Sequence, residues 1–224
     1  MAKYKLHLGD CLPIMKDMQE NSVDFTLTDI PYEKVNRDSN GLRNLDKGTA
    51  NDQTFNLFPF LEEVYRVTKN SVCIFCGKEQ FSYIYEFFAK QKGTTRPVIW
   101  QKSNPSPMNG EFVYLSGCEL AVWFKKRGAK VFNARCKNTV FKHPNGSSKL
   151  FPCEKNHELL AELITDNTNV GDTVFDPCAG SGSHLLMALR GGRNAVGVEI
   201  NEEYHKLATE RLEAQNNGNA EKCN

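Results

Sequence analysis

The sequence predicts an α/β fold: a mostly parallel seven-stranded sheet with helices on both faces. Two observations carry that prediction, and a third sets its extent. Short apolar runs with strand character alternate with helix-period segments almost from end to end. One such run, Thr173 to Phe175, leads through a glycine turn into a helical segment from His184 to Leu189. The 224 residues suffice for one substantial core and leave little room for a second, so a single domain over residues 1–224 is expected.

In chain order, the first strand is Tyr4 to Leu8, and Leu12, Met15 and Met18 then mark a short helix. Val23 to Thr28 is the second strand. Pro59 fits the first turn of a helix whose apolar face carries Leu61, Val64 and Tyr65. Ser71 to Phe75, Pro97 to Gln101 and Leu120 to Phe124 are the next three strands, followed by Thr173 to Phe175 and Ala195 to Val198. Asn201 caps a last helix: Glu202 and Glu203 occupy its first turn, and Tyr204, Leu207, Ala208 and Leu212 keep helical spacing. The segment from Asn216 reads as a loose polar tail.

Two stretches interrupt the alternation. A polar loop at about 33–54, rich in Asn, Asp and Gly, is longer than an ordinary connection. The other, at about 125–153, is basic. Net charge is only +1, yet Trp123 to Cys153 holds eight cations and no acidic residue. They are Lys125, Lys126, Arg127, Lys130, Arg135, Lys137, Lys142 and Lys149, a confined stripe of the kind that meets phosphates.

Composition narrows the class further. Hydrophobic residues make up 40% and charged residues 25%, as in ordinary globular proteins. The opening residues lack the apolar core of a signal peptide, and no run approaches a membrane span, so a cytoplasmic protein is expected. The eight cysteines lack the spacing of a disulfide framework. Cys73 and Cys76 form a CxxC, but on a strand residues three apart point to opposite faces, so no metal site is expected there.

The clearest ligand-binding signal is Val174-Phe-Asp-Pro-Cys-Ala-Gly-Ser-Gly-Ser183, a strand, a tight glycine turn and a helix. Ligands of open α/β sheets bind outside the carboxyl ends of strands, where glycine lets backbone approach closely. Glu199, at the end of the next strand, is placed to accept ribose hydroxyls. Position 185 is Leu, so the third glycine of the dinucleotide fingerprint is absent, and a nucleoside lacking a pyrophosphate suits the turn better.

The second signal is Val23-Asp-Phe-Thr-Leu-Thr-Asp29-Ile-Pro-Tyr32, a buried strand running into a carboxylate, a proline turn and an aromatic ring. The exocyclic amine of adenine or cytosine is conjugated with its ring and is a poor nucleophile. Asp29 can accept one of its N–H bonds and the Ile30 carbonyl the other, which frees the nitrogen lone pair. Pro31 fixes the turn, and Tyr32 stacks on a base flipped out of the duplex.

Together these motifs resemble those of the DNA amino-methyltransferases. Asp29-Ile-Pro-Tyr32 is similar to that family's DPPY motif, with Ile30 in place of the first proline, and Asp176-Pro177-Cys178-Ala179-Gly180-Ser181-Gly182 is similar to its S-adenosylmethionine motif. The catalytic motif precedes the cofactor motif, as in the β class. Leu8-Gly-Asp-Cys-Leu12 resembles the family's opening motif, which implies that Asp10 and Cys11 lie beside the cofactor adenine. Phe151 to Leu160 is similar to the segment leading a helix into the cofactor strand, with Lys155 at the matching lysine, which the resemblance counts with the cofactor-binding residues, and Asn156 where a proline is common. Trp100 to Asn104 occupies the place of a segment lining the target-base side.

The resemblance implies a Rossmann-like S-adenosylmethionine-dependent methyltransferase fold and methylation of DNA, with Asp at position 29 favouring adenine-N6 over cytosine-N4. The alternatives still open are cytosine-N4 methylation and a module of the same fold that binds nucleotide or DNA without turnover. The basic stripe becomes a small target-recognition element, and the polar loop a cover for the flipped base. His157 and His184 are read as structural rather than as general bases. A homodimer and a partner restriction endonuclease are both compatible with the resemblance.

Overall fold

The computed structural model describes residues 2–32, 55–107, 110–145 and 154–220, with side chains through Asn216. The polar loop expected at about 33–54, and the part of the basic segment from 146 to 153, lie outside the described residues.

The elements are β1 (Tyr4–Leu8), α1 (Cys11–Asp17), β2 (Val23–Asp29), α2 (Leu57–Val67), β3 (Thr68–Cys76), α3 (Lys78–Ala89), β4 (Gly93–Lys102), β5 (Cys118–Lys126), β6 (Val140–His143), α4 (His157–Asn167), β7 (Thr173–Asp176), α5 (Ser183–Arg190), β8 (Asn194–Glu199) and α6 (Glu202–Ala220). The strands form one eight-stranded sheet in the order β1-β8-β7-β2-β3-β5-β4-β6. All seven strands read from the sequence are present, several of them longer. The eighth, β6, lies inside the basic segment, where a short run of apolar and charged residues pairs parallel to β4. Only β5 opposes its neighbours, pairing antiparallel with β3 and β4.

Two hydrophobic clusters sandwich the sheet, and alternation along β3 shows how they separate. Cys73 and Phe75 join the face covered by Leu159, Leu163, Leu185 and Leu212 of α4, α5 and α6. Val72, Ile74 and Cys76 join the face covered by Met15, Phe60, Val64, Ile84 and Phe88 of α1, α2 and α3. The two cysteines of the CxxC thus belong to opposite layers. The near-continuous apolar character of β2 and β3 follows from this burial on both faces.

Side chains cap the helices at the edge where ligands are expected. Asp10 accepts from Leu12 N at 2.9 Å and caps α1. Asn156 caps α4 by accepting from Leu159 N at 3.0 Å, a structural use for a residue that stands where the resemblance led to proline. Asn201 accepts from Glu203 N and Tyr204 N at 2.9 and 3.0 Å. Helix α6 runs to Ala220, past the point where the sequence predicts a loose tail, because backbone pairing continues beyond its last buried turn at Leu212. Among the described residues, no helix is long and apolar enough to cross a membrane.

Candidate active site

Four neighbouring strands end in a row of carboxylates. Reading across the sheet, β1 leads into Asp10, β8 ends at Glu199, β7 at Asp176 and β2 at Asp29. The chain order reverses between β7 and β2, a switch point of the sort where open α/β sheets bind ligands.

On the β7 side, Asp176 is fully buried. Its Oδ1 accepts the Thr28 hydroxyl at 2.7 Å and the Cys178 amide at 3.0 Å. Its Oδ2 lies 2.9 Å from His184 Nδ1, yet the two are not aligned for a hydrogen bond, and neither atom has another hydrogen-bond partner in the structure. His184, read from the sequence as simple packing, is therefore placed directly against the carboxylate.

The turn that follows needs glycine, since Gly180 and Gly182 take φ of +48° and +72°, in the left-handed region. A Cβ built on Gly180 meets nothing within 4 Å, so the turn presents an open backbone face. Glu199 holds the turn from the next strand, accepting Gly180 N at 2.6 Å and Asn201 N at 2.8 Å. Burial pushes the Glu199 carboxyl up, and those two amides oppose the shift. Arg211 donates to Ser181 O at 3.2 Å and to Glu154 at 2.6 Å, tying α6 to the turn. Pro177 and Ala179 lie in the same turn, and Ala179 N donates to Val198 O at 2.8 Å. Cys11 reaches this region as well: the Cys178 thiol is pushed well up by Cys11 beside it and by burial.

On the β2 side, the turn after Asp29 is fixed at two points. Ile30 N donates to Phe75 O at 3.2 Å, and Gln80 Nε2 donates to Pro31 O at 2.9 Å. Gln80 also reaches back to the amide of Gly77, the N-cap of α3, at 3.0 Å. Tyr32 packs beside Gly77, where an added Cβ would lie in ordinary contact, 3.5 Å, from the Tyr32 Cβ.

Lys155 is the main surprise. The resemblance put it with the cofactor, but the structure puts its Nζ against Asp29 Oδ2, with Glu119 Oε2 at 2.9 Å and the Tyr32 hydroxyl at 3.4 Å. The same ammonium lies 5.5 Å from the Tyr32 ring centroid and 5.4 Å from that of Phe75. Glu119 is held in turn by Lys102 at 2.8 Å. Two carboxylates and two ammoniums thus form a closed cluster around the acceptor side. Burial opposes the Lys155 charge, but Asp29, Tyr32 and Glu119 outweigh it and hold the ammonium protonated well above its ordinary range. Burial pushes the Asp29 carboxyl up, with Lys155 pulling against it. Glu119 goes the other way: two ammoniums overcome its burial. Asp29 Oδ1 remains a buried acceptor with no hydrogen-bond partner among the described residues.

Glu119, Gln80 and Arg211 are absent from the sequence reading of the site, Lys102 enters it only as part of the Trp100 to Asn104 segment, and His184 is there as a structural residue. A charged residue opening the apolar run of β5 was the one available hint for Glu119. For the others, the partner lies far away in the chain, and no local pattern points to it.

The basic stripe divides. Because β5 runs antiparallel, its end lies at the amino edge of the sheet: Lys125 is opposite Ser71 and Lys126 opposite Gly93. Arg127 N bonds Lys92 O at 3.0 Å, and Lys130 follows the Ala129 turn on the same side. Lys126 Nζ bonds Asn21 at 3.0 Å and lies 4.4 Å from the Tyr65 ring centroid, while Lys125 Nζ bonds the Ala129 carbonyl. Lys137 pairs with Glu162 and Asp166 of α4 at 2.7 and 2.6 Å, and Arg135 precedes it. The structure does not bring these six residues to the edge that carries Asp29. Lys142 is the exception: it is exposed, and β6 carries it opposite Gln101 at the site edge.

An open α/β sheet with a glycine turn at its switch point and a carboxylate followed by an aromatic on the adjoining strand defines the class of a nucleoside-cofactor methyltransferase. The family model described as a DNA methylase, for the amino-N6 and amino-N4 enzymes, matches residues 23–210, and the chain belongs to that family. It is 28% identical over 246 residues to the type II methyltransferase M.HpaI of Haemophilus parainfluenzae, covering 96% of this chain and 76% of that one. YubD of Escherichia coli (strain K12) is 30% identical over 209 residues, covering 92% and 88%. Among solved structures, the complex of M1.HpyAVI with SAM superposes with a TM-score of 0.72 at 27% identity, covering 93% of this chain and 99% of that one. The fold is the S-adenosylmethionine-dependent methyltransferase fold.

The cofactor of the family is S-adenosylmethionine, and the residues present fit it. An open glycine turn, the buried Asp176 Oδ2 with no hydrogen-bond partner and the flanking Glu199 provide a backbone cradle and carboxylate acceptors for a cationic amine and ribose hydroxyls.

Proposed function

We propose that this chain transfers a methyl group from S-adenosylmethionine to the N6 amine of an adenine in DNA. The single observation that carries this reading is that Asp29 Oδ1 and Asp176 Oδ2, two buried acceptors with no hydrogen-bond partner among the described residues, lie at the ends of adjacent strands, the second beside His184 Nδ1. One suits the amine of a base and the other the amine of the donor.

S-adenosylmethionine supplies an electrophilic methyl group on its sulfonium. Asp176, Glu199, Asp10 and the turn from Pro177 to Gly182 hold it, with Cys11 and Cys178 along the wall. Asp29 Oδ1 accepts one N–H of the target amine and the Ile30 carbonyl the other, so the nitrogen lone pair leaves conjugation with the ring. Tyr32 stacks on the extruded base, offsetting part of the few kcal/mol that flipping costs. Holding the reactants in line supplies about 7–11 kcal/mol of the barrier reduction. The methylated nitrogen then loses one proton, to Asp29 or to water.

Lys155 belongs in this reading to the acceptor side. By pairing with Oδ2 it turns Oδ1 toward the base and stabilises the ionised carboxylate, while Glu119 and Lys102 hold its own charge in place. Lys142 is the phosphate contact we assign from the basic stripe.

Methyl transfer from labelled cofactor to mixed-sequence DNA tests the reading, with Asp29→Ala as the control that must lose it. Digestion of the product to nucleosides then shows N6-methyladenine. N4-methylcytosine would replace the adenine assignment, and no transfer at all would leave a binding module.

A further inference from the structure

Phe112, Val113, Tyr114 and Leu115 are four consecutive exposed apolar residues in the β4–β5 connection, with fractional exposures of 84, 62, 102 and 43%. Such a run in water marks a contact surface rather than a stability device. Leu115 turns inward, since a Cβ on Gly110 would lie 2.9 Å from its Cδ2, which leaves Phe112, Val113 and Tyr114 as the tip.

The tip stands on firm ground. Lys102 N donates to Gly117 O at 2.8 Å and Ser103 N to His143 O at 3.1 Å, closing the base of the connection against β6. Asn145 N and Nδ2 bond Asn104 at 2.7 and 3.0 Å. Two residues after Gly117 comes Glu119, which contacts Lys155 and receives the Tyr32 hydroxyl at 3.5 Å. The loop therefore rises from the same edge of the sheet as Asp29, beside the contact of Glu119 with Lys155. Its flank is polar, with the exposed Lys142 one strand away.

We propose that Phe112 and Tyr114 insert into the duplex as the target base leaves it, taking up the stacking that the base gives up. The inference rests on the reading of a DNA base as the acceptor. Two exposed rings beside a base pocket match an unstacked base step, since aromatic and aliphatic side chains hold such steps open. The exposed Lys142 one strand away offers a cation to a phosphate, so the duplex is the occupant favoured over a second copy of this chain.

The test uses the full chain and a synthetic duplex containing the target located by modification-detecting sequencing. One form of the duplex is fully paired, and the other has an abasic site facing the target base, which removes the pair to be opened. The double variant F112S/Y114S is expected to methylate the paired duplex at least about tenfold more slowly than wild type, and the abasic form within about threefold of wild type. An undiminished rate on the paired duplex overturns the proposal. So does an equal loss on both forms, and sedimentation showing a lost dimer would then assign the tip to self-association. Wild type that methylates no DNA sinks the adenine reading itself, and this inference with it.

Discussion

Thr28 donates its hydroxyl to Asp176 Oδ1 at 2.7 Å, across 148 positions of the chain. Thr28 precedes the acceptor carboxylate Asp29, and Asp176 precedes the cofactor turn, so this one buried bond locks the two halves of the site into register. A buried charge-assisted bond of this kind is stronger than a neutral one and permits little relative movement of β2 and β7. Thr28→Val is expected to weaken cofactor binding and slow transfer together, with kcat/KM falling about tenfold for a lost bond to a charged group. Unchanged kinetics would mean that the strands hold their register without it.

Asp29→Asn keeps the shape of the acceptor but removes its charge. Loss of one preorganised electrostatic partner costs about 10²- to 10³-fold in kcat. Cofactor affinity, measured by calorimetry without DNA, should stay within about threefold of wild type, because Asp29 faces the acceptor. A parallel fall in both would place the residue with the cofactor instead.

The pH dependence of Lys155→Met follows from the sign of its effect on Asp29. Burial raises the Asp29 carboxyl and Lys155 lowers it, so removing the ammonium raises it further. Activity needs the ionised carboxylate and is lost as pH falls through that value. The acid limb of kcat against pH should therefore move to higher pH in the variant. A profile of unchanged position and reduced height would show that Lys155 serves the cofactor and not Asp29.

The two turn glycines should part company. Gly182→Ala adds a Cβ 3.1 Å from the Ala208 Cβ at a φ of +72°, so stability in urea should fall by about 1–2 kcal/mol or more. Gly180→Ala faces open space at φ +48°, and its methyl projects where the cofactor is held. Its distinctive effect is on binding. Excess S-adenosylmethionine at 100 times the wild-type Kd stabilises wild type by about 2.7 kcal/mol, and most of that increment should vanish in Gly180→Ala. Equal loss of the increment in both variants would contradict the distinction.

Salt dependence separates the basic residues. Lys142→Ala should reduce the slope of log K against log salt by about 0.9 for one lost phosphate contact. Arg127→Ala and Lys130→Ala, at the opposite edge, should leave the slope unchanged. If the pair at the far edge alters it and Lys142 does not, the DNA lies across another face.

Much of the site was legible because its motifs are local. Asp29 to Tyr32 and Asp176 to Gly182 each sit on a strand end, and their spacing carries the chemistry without reference to the rest of the chain. Asn201 was legible as a helix cap for the same reason. The resemblance counted Lys155 with the cofactor by its segment, whereas its contacts with Asp29 and Glu119 join residues far apart in the chain and leave no local trace. Gln80 gave no warning and Glu119 only its charge at the head of an apolar run, since each contacts a residue distant in the chain, Pro31 for one and Lys155 for the other.

The apolar runs by themselves determined seven of the strands and helices α1, α2, α5 and α6, because elements buried against a core leave their length and period in the chain, whereas α3 and β6 emerged only in the structure. Only tertiary structure decided which cations reach that edge. Reversal of β5 sends Lys125 to Lys130 to the far side and returns Lys142 through β6, and strand direction is set by pairing between distant segments that local composition does not record.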